Sequence, residues 1–137
     1  MEIGQIHSRE SFLSLLDKEV KRARRYQNFF CILNLTLSEL PNSNNGSGLQ
    51  TCVQALIHFL GGELRKSDII GFLAEHQLAV ILPYIGVNSA RHAQSRLEAG
   101  LKYYDFKKLG YAVKIDQICF PVDGSNTIAL IDKITKK

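Results

Sequence analysis

Apolar residues recur every third or fourth position through Phe12, Leu15, Leu16, Val20, Ala23 and Tyr26, which predicts an amphipathic helix from Ser8 to about Gln27. Ser8 is placed to cap it, and Glu10 meets the positive end of the helix dipole in the first turn. The period then changes. Positions 29–37 read FFCILNLTL, rich in aromatic and β-branched residues and too apolar for an exposed strand, so a central strand covered on both faces is predicted. Residues 40–48, LPNSNNGSG, concentrate turn formers and predict a loop.

Helical spacing returns over 49–66 through Val53, Leu56, Ile57, Leu60 and Leu64. It does so despite Gly61-Gly62, a pair that costs roughly 2 kcal/mol against alanines and must be offset by packing. Two short apolar runs, 69–73 and 78–82, flank Ala74-Glu75-His76-Gln77 and predict a hairpin ending at Pro83, neither strand at an edge. A further helix is expected over 88–102 from Ala90, Ala93, Leu97 and Leu101, capped by Asn88 or Ser89. A long strand over 111–120, a turn at Pro121-Val122-Asp123-Gly124 and a short helix over 127–134 complete the order. That order predicts one α/β domain with a central mixed sheet flanked by helices.

Composition narrows this picture only modestly. The 137 residues, 45% of them hydrophobic, suffice for one compact domain without a disulfide. Cys31, Cys52 and Cys119 lie far apart in apolar runs and form no metal-ligand spacing, so they are expected to be buried, unpaired thiols in a reducing compartment. No apolar run approaches the about 20 residues of a membrane helix, and no signal peptide is evident, which favours a cytoplasmic protein without membrane insertion. The net charge of +4 comes largely from Lys18, Lys21, Arg22, Arg24 and Arg25, interrupted by Asp17 and Glu19. Mixed signs on one helix read as a solvated face, so nucleic acid is not the expected partner.

RARRY at 22–26, the LNLT strand, Arg65-Lys66-Ser67-Asp68, the hairpin ending in AVILP, and FPVDG at 120–124 together resemble the GGDEF (diguanylate cyclase) family over nearly the whole chain. The resemblance implies a ferredoxin-like, nucleotide-cyclase palm, with residues 1–137 forming a single degenerate domain that lacks most of the family's C-terminal helix. Family members condense two GTP molecules into cyclic di-GMP, and carboxylates there hold two divalent cations against the triphosphate. The signature turn reads Ala74-Glu75-His76-Gln77-Leu78 in this chain, and the strand pattern LDxD reads Leu33-Asn34-Leu35-Thr36, so these acids are replaced. Asn42 matches a guanine-contacting asparagine, whereas the family's later guanine-binding aspartate falls near Gln50. Gly61-Gly62-Glu63-Leu64 imitates the signature but falls in a predicted helix. No catalytic residue, metal site or cofactor is therefore expected.

The family's inhibitory product site, Arg-x-x-Asp, is reproduced by Arg65 and Asp68. A guanidinium fork suits guanine O6 and N7, and a carboxylate can accept from guanine N1–H and N2–H. The pair is expected at the end of a helix, with both side chains on one side. Arg96 falls where relatives carry an arginine that completes the cyclic di-GMP site, and His92, one turn earlier, where some carry another. The expected function is an inactive cyclic di-GMP receptor acting as a homodimer or with a signalling protein. The alternatives are a ligand-independent interaction or dimerisation module and a residual nucleotide cyclase or hydrolase. An exposed ion pair and a solvated Arg96 are the bland readings of the same residues. His76 is expected as an exposed turn residue, His58 as a hydrogen-bonded packing residue, and Tyr103, Tyr104 and Phe106 as anchors of the connection into the last strand.

Overall fold

A computed structural model describes residues 6–41, 48–104, 106, 108 and 110–135. The elements in chain order are β1 (Ile6–His7), α1 (Arg9–Arg25), β2 (Phe30–Glu39), α2 (Gly48–Glu63), β3 (Ile69–Ala74), β4 (Gln77–Pro83), α3 (Val87–Leu101), β5 (Tyr111–Phe120) and α4 (Thr127–Thr135). The five strands form one mixed sheet in the order β1-β3-β4-β2-β5. Only β1 and β3 run parallel. The short β1, which carries no clear period in the sequence, keeps β3 off the edge.

Alternation along β2 sorts the core into two layers. Leu33, Leu35 and Leu37 join Leu56 and Leu60 of α2 and Leu97 of α3 on one face. Phe30 and Ile32 join Phe12, Leu16 and Val20 of α1 and Leu130 of α4 on the other. As expected of a strand covered on both sides, residues 30–35 are all buried. Helix α1 approaches β3 so closely at Gly71 that a methyl group there would stand 2.7 Å from Phe12 Cβ.

Local chemistry sets the helix ends. Ser8 accepts a hydrogen bond from the Ser11 N–H and caps α1. Gln27, in the left-handed region at φ 56°, stops α1, while the Asn28 N–H reaches back to the Ala23 carbonyl at 2.7 Å. Two expected boundaries are corrected. Helix α3 starts one residue early, with Gly86 at its N-cap and no side-chain cap, so neither Asn88 nor Ser89 has that role. Helix α2 ends at Glu63 rather than running to position 66, because Arg65 to Asp68 make a turn of their own.

The cysteine reading also changes. Cys31 and Cys119 are direct partners across the antiparallel β2–β5 ladder and form a disulfide, leaving Cys52 as a buried free thiol. Their 88-residue separation concealed a pairing that only the register creates. The disulfide removes the argument from unpaired thiols to a reducing compartment. Among the described residues, no helix is long and apolar enough to cross a membrane.

Candidate functional site

Between α2 and β3, the Asp68 N–H bonds to the Arg65 carbonyl at 3.1 Å and closes a tight turn. The Asp68 carboxylate accepts three further bonds from Arg65: backbone N–H at 2.8 Å, Nε at 3.1 Å and Nη2 at 2.8 Å. Nη2 also donates to the Pro83 carbonyl at the end of β4, at 3.2 Å. The Asp68 side chain is 3% exposed and that of Arg65 is 48% exposed. Asp68 is therefore covered by the guanidinium and orients it through Nε and Nη2. The pair is held by a turn and a neighbouring strand, not by the expected helical end.

Arg96 is brought to the same region by α3. Its Nε lies 3.4 Å from Oε1 of Glu63, the last residue of α2 and two positions before Arg65. His92 stands one turn earlier on α3 and is exposed. Arg65, Asp68 and Arg96 thus gather around the C-terminal end of α2, with His92 flanking them.

The hairpin tip has a different character. Ala74 ends β3, Glu75 and His76 make the exposed turn, and Gln77 begins β4. Gln77 Nε2 donates to Asn34 Oδ1 at 2.8 Å and to the Ile134 carbonyl of α4 at 3.4 Å. Asn34 is fully buried, and its Nδ2 has no hydrogen-bond partner among the described residues. A pocket of about 350 Å³ beside the turn is lined by Thr36, Glu39, His76 and Tyr111. Another of about 450 Å³ lies between α2 and the hairpin, with Gln50, Arg9, Phe72 and Glu75 in its wall. Asn42 lies outside the described residues.

Residues 2–133 match the family model described as the GGDEF domain of diguanylate cyclases. The chain belongs to the GGDEF family. Its fold is similar to that of a DGC protein from Thermotoga maritima, at 17% identity and a TM-score of 0.82 over 96% of this chain and 95% of that one. The GGDEF domain of FimX from Pseudomonas aeruginosa is similar at 14% identity and a TM-score of 0.81, covering 96% and 85%. The GGDEF domain of DgcB from Caulobacter crescentus, solved in complex with c-di-GMP, is similar at 13% identity and a TM-score of 0.77, covering 96% and 80%. At these identities the likeness is one of fold, the cyclase palm. No curated protein shows significant sequence similarity to the chain.

GGDEF chemistry depends on divalent cations, which need hard, anionic oxygen ligands. In this GGDEF domain Asn34, Thr36, His76 and Gln77 meet where β2 borders the hairpin tip, none of them a carboxylate, and the two amides are bonded to one another. The donor set does not fit a metal pair. Among the described residues, no three His, Cys, Asp or Glu side chains converge elsewhere. The Gly61-Gly62-Glu63 imitation is helical, within α2.

Several smaller expectations are resolved. His76 is exposed in its turn, but His58 is exposed too, because it falls on the outer side of α2 rather than in packing. Tyr104 and Phe106 do anchor the connection, Tyr104 lying edge-on to Phe59 at 5.4 Å and stacked with Phe106 at 5.9 Å. Tyr103 is 91% exposed and anchors nothing. Burial pushes the Cys52 thiol up, and burial followed by the Glu39 carboxylate pushes the Tyr111 phenol up. Asp17 is held below its ordinary value, first by the Thr127 hydroxyl and then by Lys21.

Sequence reasoning missed Tyr84, which follows Pro83 in the left-handed region at φ 59°. The guanidinium of Arg22 lies over its ring, 4.2 Å from the centroid. The only available signal was an aromatic residue directly after a strand-ending proline.

Proposed function

We propose that this chain is a catalytically inactive GGDEF domain that serves as a cyclic di-GMP receptor through Arg65 and Asp68, with Arg96 and His92 contributing. The observation that carries the reading is the anchored guanidinium: Asp68 and Pro83 engage Nε and Nη2 of Arg65 while its side chain stays 48% exposed, so Nη1 is the donor left for a ligand. A fixed charged donor can meet guanine O6 or N7 through Nη1 at little entropic cost, and Arg96 can attract a phosphate. Asp68 then acts mainly by positioning Arg65, since its oxygens are already engaged. The bonded amides Asn34 and Gln77 support the absence of cyclase activity, because neither offers the charge that a metal requires. The DgcB complex with c-di-GMP, and a further microbial GGDEF domain solved with cyclic di-GMP, make this ligand class the natural first probe.

Calorimetric titration with cyclic di-GMP tests the reading. Wild type should bind, and Arg65→Ala should lose at least about tenfold in affinity, the worth of one charge-assisted hydrogen bond. Cyclic di-AMP should bind weakly, because its base edge reverses donor and acceptor. Incubation with GTP and Mg²⁺ should give no cyclic dinucleotide; sustained product formation would refute the inactive assignment. A ligand-independent docking module is the second reading, favoured by the exposed Tyr26, Phe29 and Tyr84 at one end of the sheet. The GGDEF protein SiaD, solved with its activator SiaC, has a related fold. Stable association that ignores the nucleotide would favour this alternative.

A further inference from the structure

The loop from β4 to α3 holds a large side chain that packing does not explain. Tyr84 is 61% exposed, yet its backbone occupies the left-handed region, which is uncommon for a bulky residue. One face of the ring is covered by Arg22. That guanidinium is itself fixed, with Glu19 accepting from Nε at 3.2 Å and from Nη2. Arg22 Nη1 is buried without a hydrogen-bond partner among the described residues, so contact with the ring face is its compensation there. With one face covered and 61% of the residue exposed, the opposite face is the open one.

The loop is also pinned. The Ala90 N–H bonds to the Gly86 carbonyl at 2.9 Å, and Gln117 Nε2 donates to the Val87 carbonyl at 3.1 Å. Arg65 reaches the same loop through the Pro83 carbonyl. Standard peptide dimensions then put Arg65 Nη2 within roughly 6 Å of Tyr84 Cα. The anchored Arg65 guanidinium and the backbone that carries the Tyr84 ring are neighbours at one end of the sheet.

We propose that Tyr84, backed by Arg22, is the stacking platform that receives a guanine of the dinucleotide whose other contacts are made at Arg65; this deepens the receptor reading and rests on it. Stacking requires a flat, immobile π-face, and a ring already held in place loses little freedom on binding. Stacking is indifferent to base identity, so Tyr84 supplies affinity while Arg65 supplies the preference for guanine.

The test uses three substitutions in the full chain, titrated with cyclic di-GMP beside wild type and Arg65→Ala. Tyr84→Asn removes the ring while suiting the left-handed backbone, which offsets the lost cover of Arg22, so it should still unfold cooperatively close to wild type yet bind roughly five- to a hundredfold more weakly, the span of base stacking. Tyr84→Phe retains the face and should stay within about threefold of wild type. Tyr84→Trp introduces a single indole into a chain with no tryptophan, and its fluorescence should be quenched saturably by the ligand. Wild-type affinity in Tyr84→Asn, with binding lost in Arg65→Ala, overturns the platform and leaves the receptor reading standing. Absence of binding by folded wild type overturns both.

Discussion

Two pairs of polar side chains, each joined by a contact of 2.8 Å, occupy the places where family resemblance leads one to look for chemistry. Asn34 and Gln77 meet beneath the hairpin tip, where Asn34 is wholly buried and α4 closes over them through the Ile134 carbonyl. Arg65 and Asp68 meet at the surface, with the carboxylate covered and the guanidinium half exposed. The amides share one uncharged hydrogen bond in a buried layer. In the ion pair, Asp68 is covered and accepts three bonds from Arg65, whose guanidinium reaches solvent. Exposure, more than the hydrogen bond itself, is what distinguishes the two contacts.

The comparison breaks most severely at Asn34. Asn34→Asp places a carboxylate in that layer with Gln77 as its one amide donor, and should lower stability by about 3 kcal/mol at pH 7 in urea unfolding. Burial raises the folded-state pKa of the introduced acid above its unfolded value. The penalty should therefore grow as pH rises through the unfolded pKa and fade as acidification neutralises the group. A pH-independent loss would contradict the dry environment inferred for this position.

Asp68→Ala comes next. It removes the acceptor of three bonds and should cost about 2 kcal/mol while releasing the Arg65 fork, so cyclic di-GMP affinity should also fall at least about tenfold. Retained affinity would show that positioning by Asp68 is unnecessary. The double replacement Asn34→Leu with Gln77→Leu should change stability by less than about 1 kcal/mol, because both polar groups leave together, and ligand affinity should be untouched. Arg96→Ala should weaken binding only about two- to fivefold and reduce its salt dependence, as expected of an exposed cation meeting a phosphate.

The smallest effect is expected away from both regions, where the Thr127 hydroxyl bonds to Asp17 at 2.8 Å between α4 and α1. Asp17 has a depressed folded-state pKa, so its contribution is present above the unfolded value and disappears as pH falls through the folded one. Thr127→Val should remove the main cause of that depression and shift acid unfolding slightly upward in pH, as followed by circular dichroism.

Much of the frame was legible in the sequence because hydrophobic period and burial agree. The apolar run in β2 and the Ser8 start of α1 both reappear in the structure, and β5 spans Tyr111–Phe120 as the pattern predicts. Elements held by single hydrogen bonds or by register were not legible. Ile6–His7 is too short for a period, and Gly86 gives no capping signal. Nothing in the spacing of Cys31 and Cys119 announces that they face each other. At the site, Arg65, Asp68 and Arg96 were nameable from motif spacing, but their division into a covered acid and an open fork depends on the Pro83 carbonyl, which is remote in sequence. Tyr84 was invisible because its role comes from Arg22, on a helix far earlier in the chain.

The bond between Cys31 and Cys119 encloses α2, the β3–β4 hairpin and α3 in one covalent loop, while α1 and α4 hang outside it as two arms. With its ends separated by 88 in sequence, such a closure removes denatured-chain entropy equivalent to about 4 to 5 kcal/mol on the chain-entropy account. The lassoed segment keeps that constraint when the molecule opens, and the arms do not share it. Amide exchange should accordingly appear first along the arms, and a reductant should narrow the gap between the two populations.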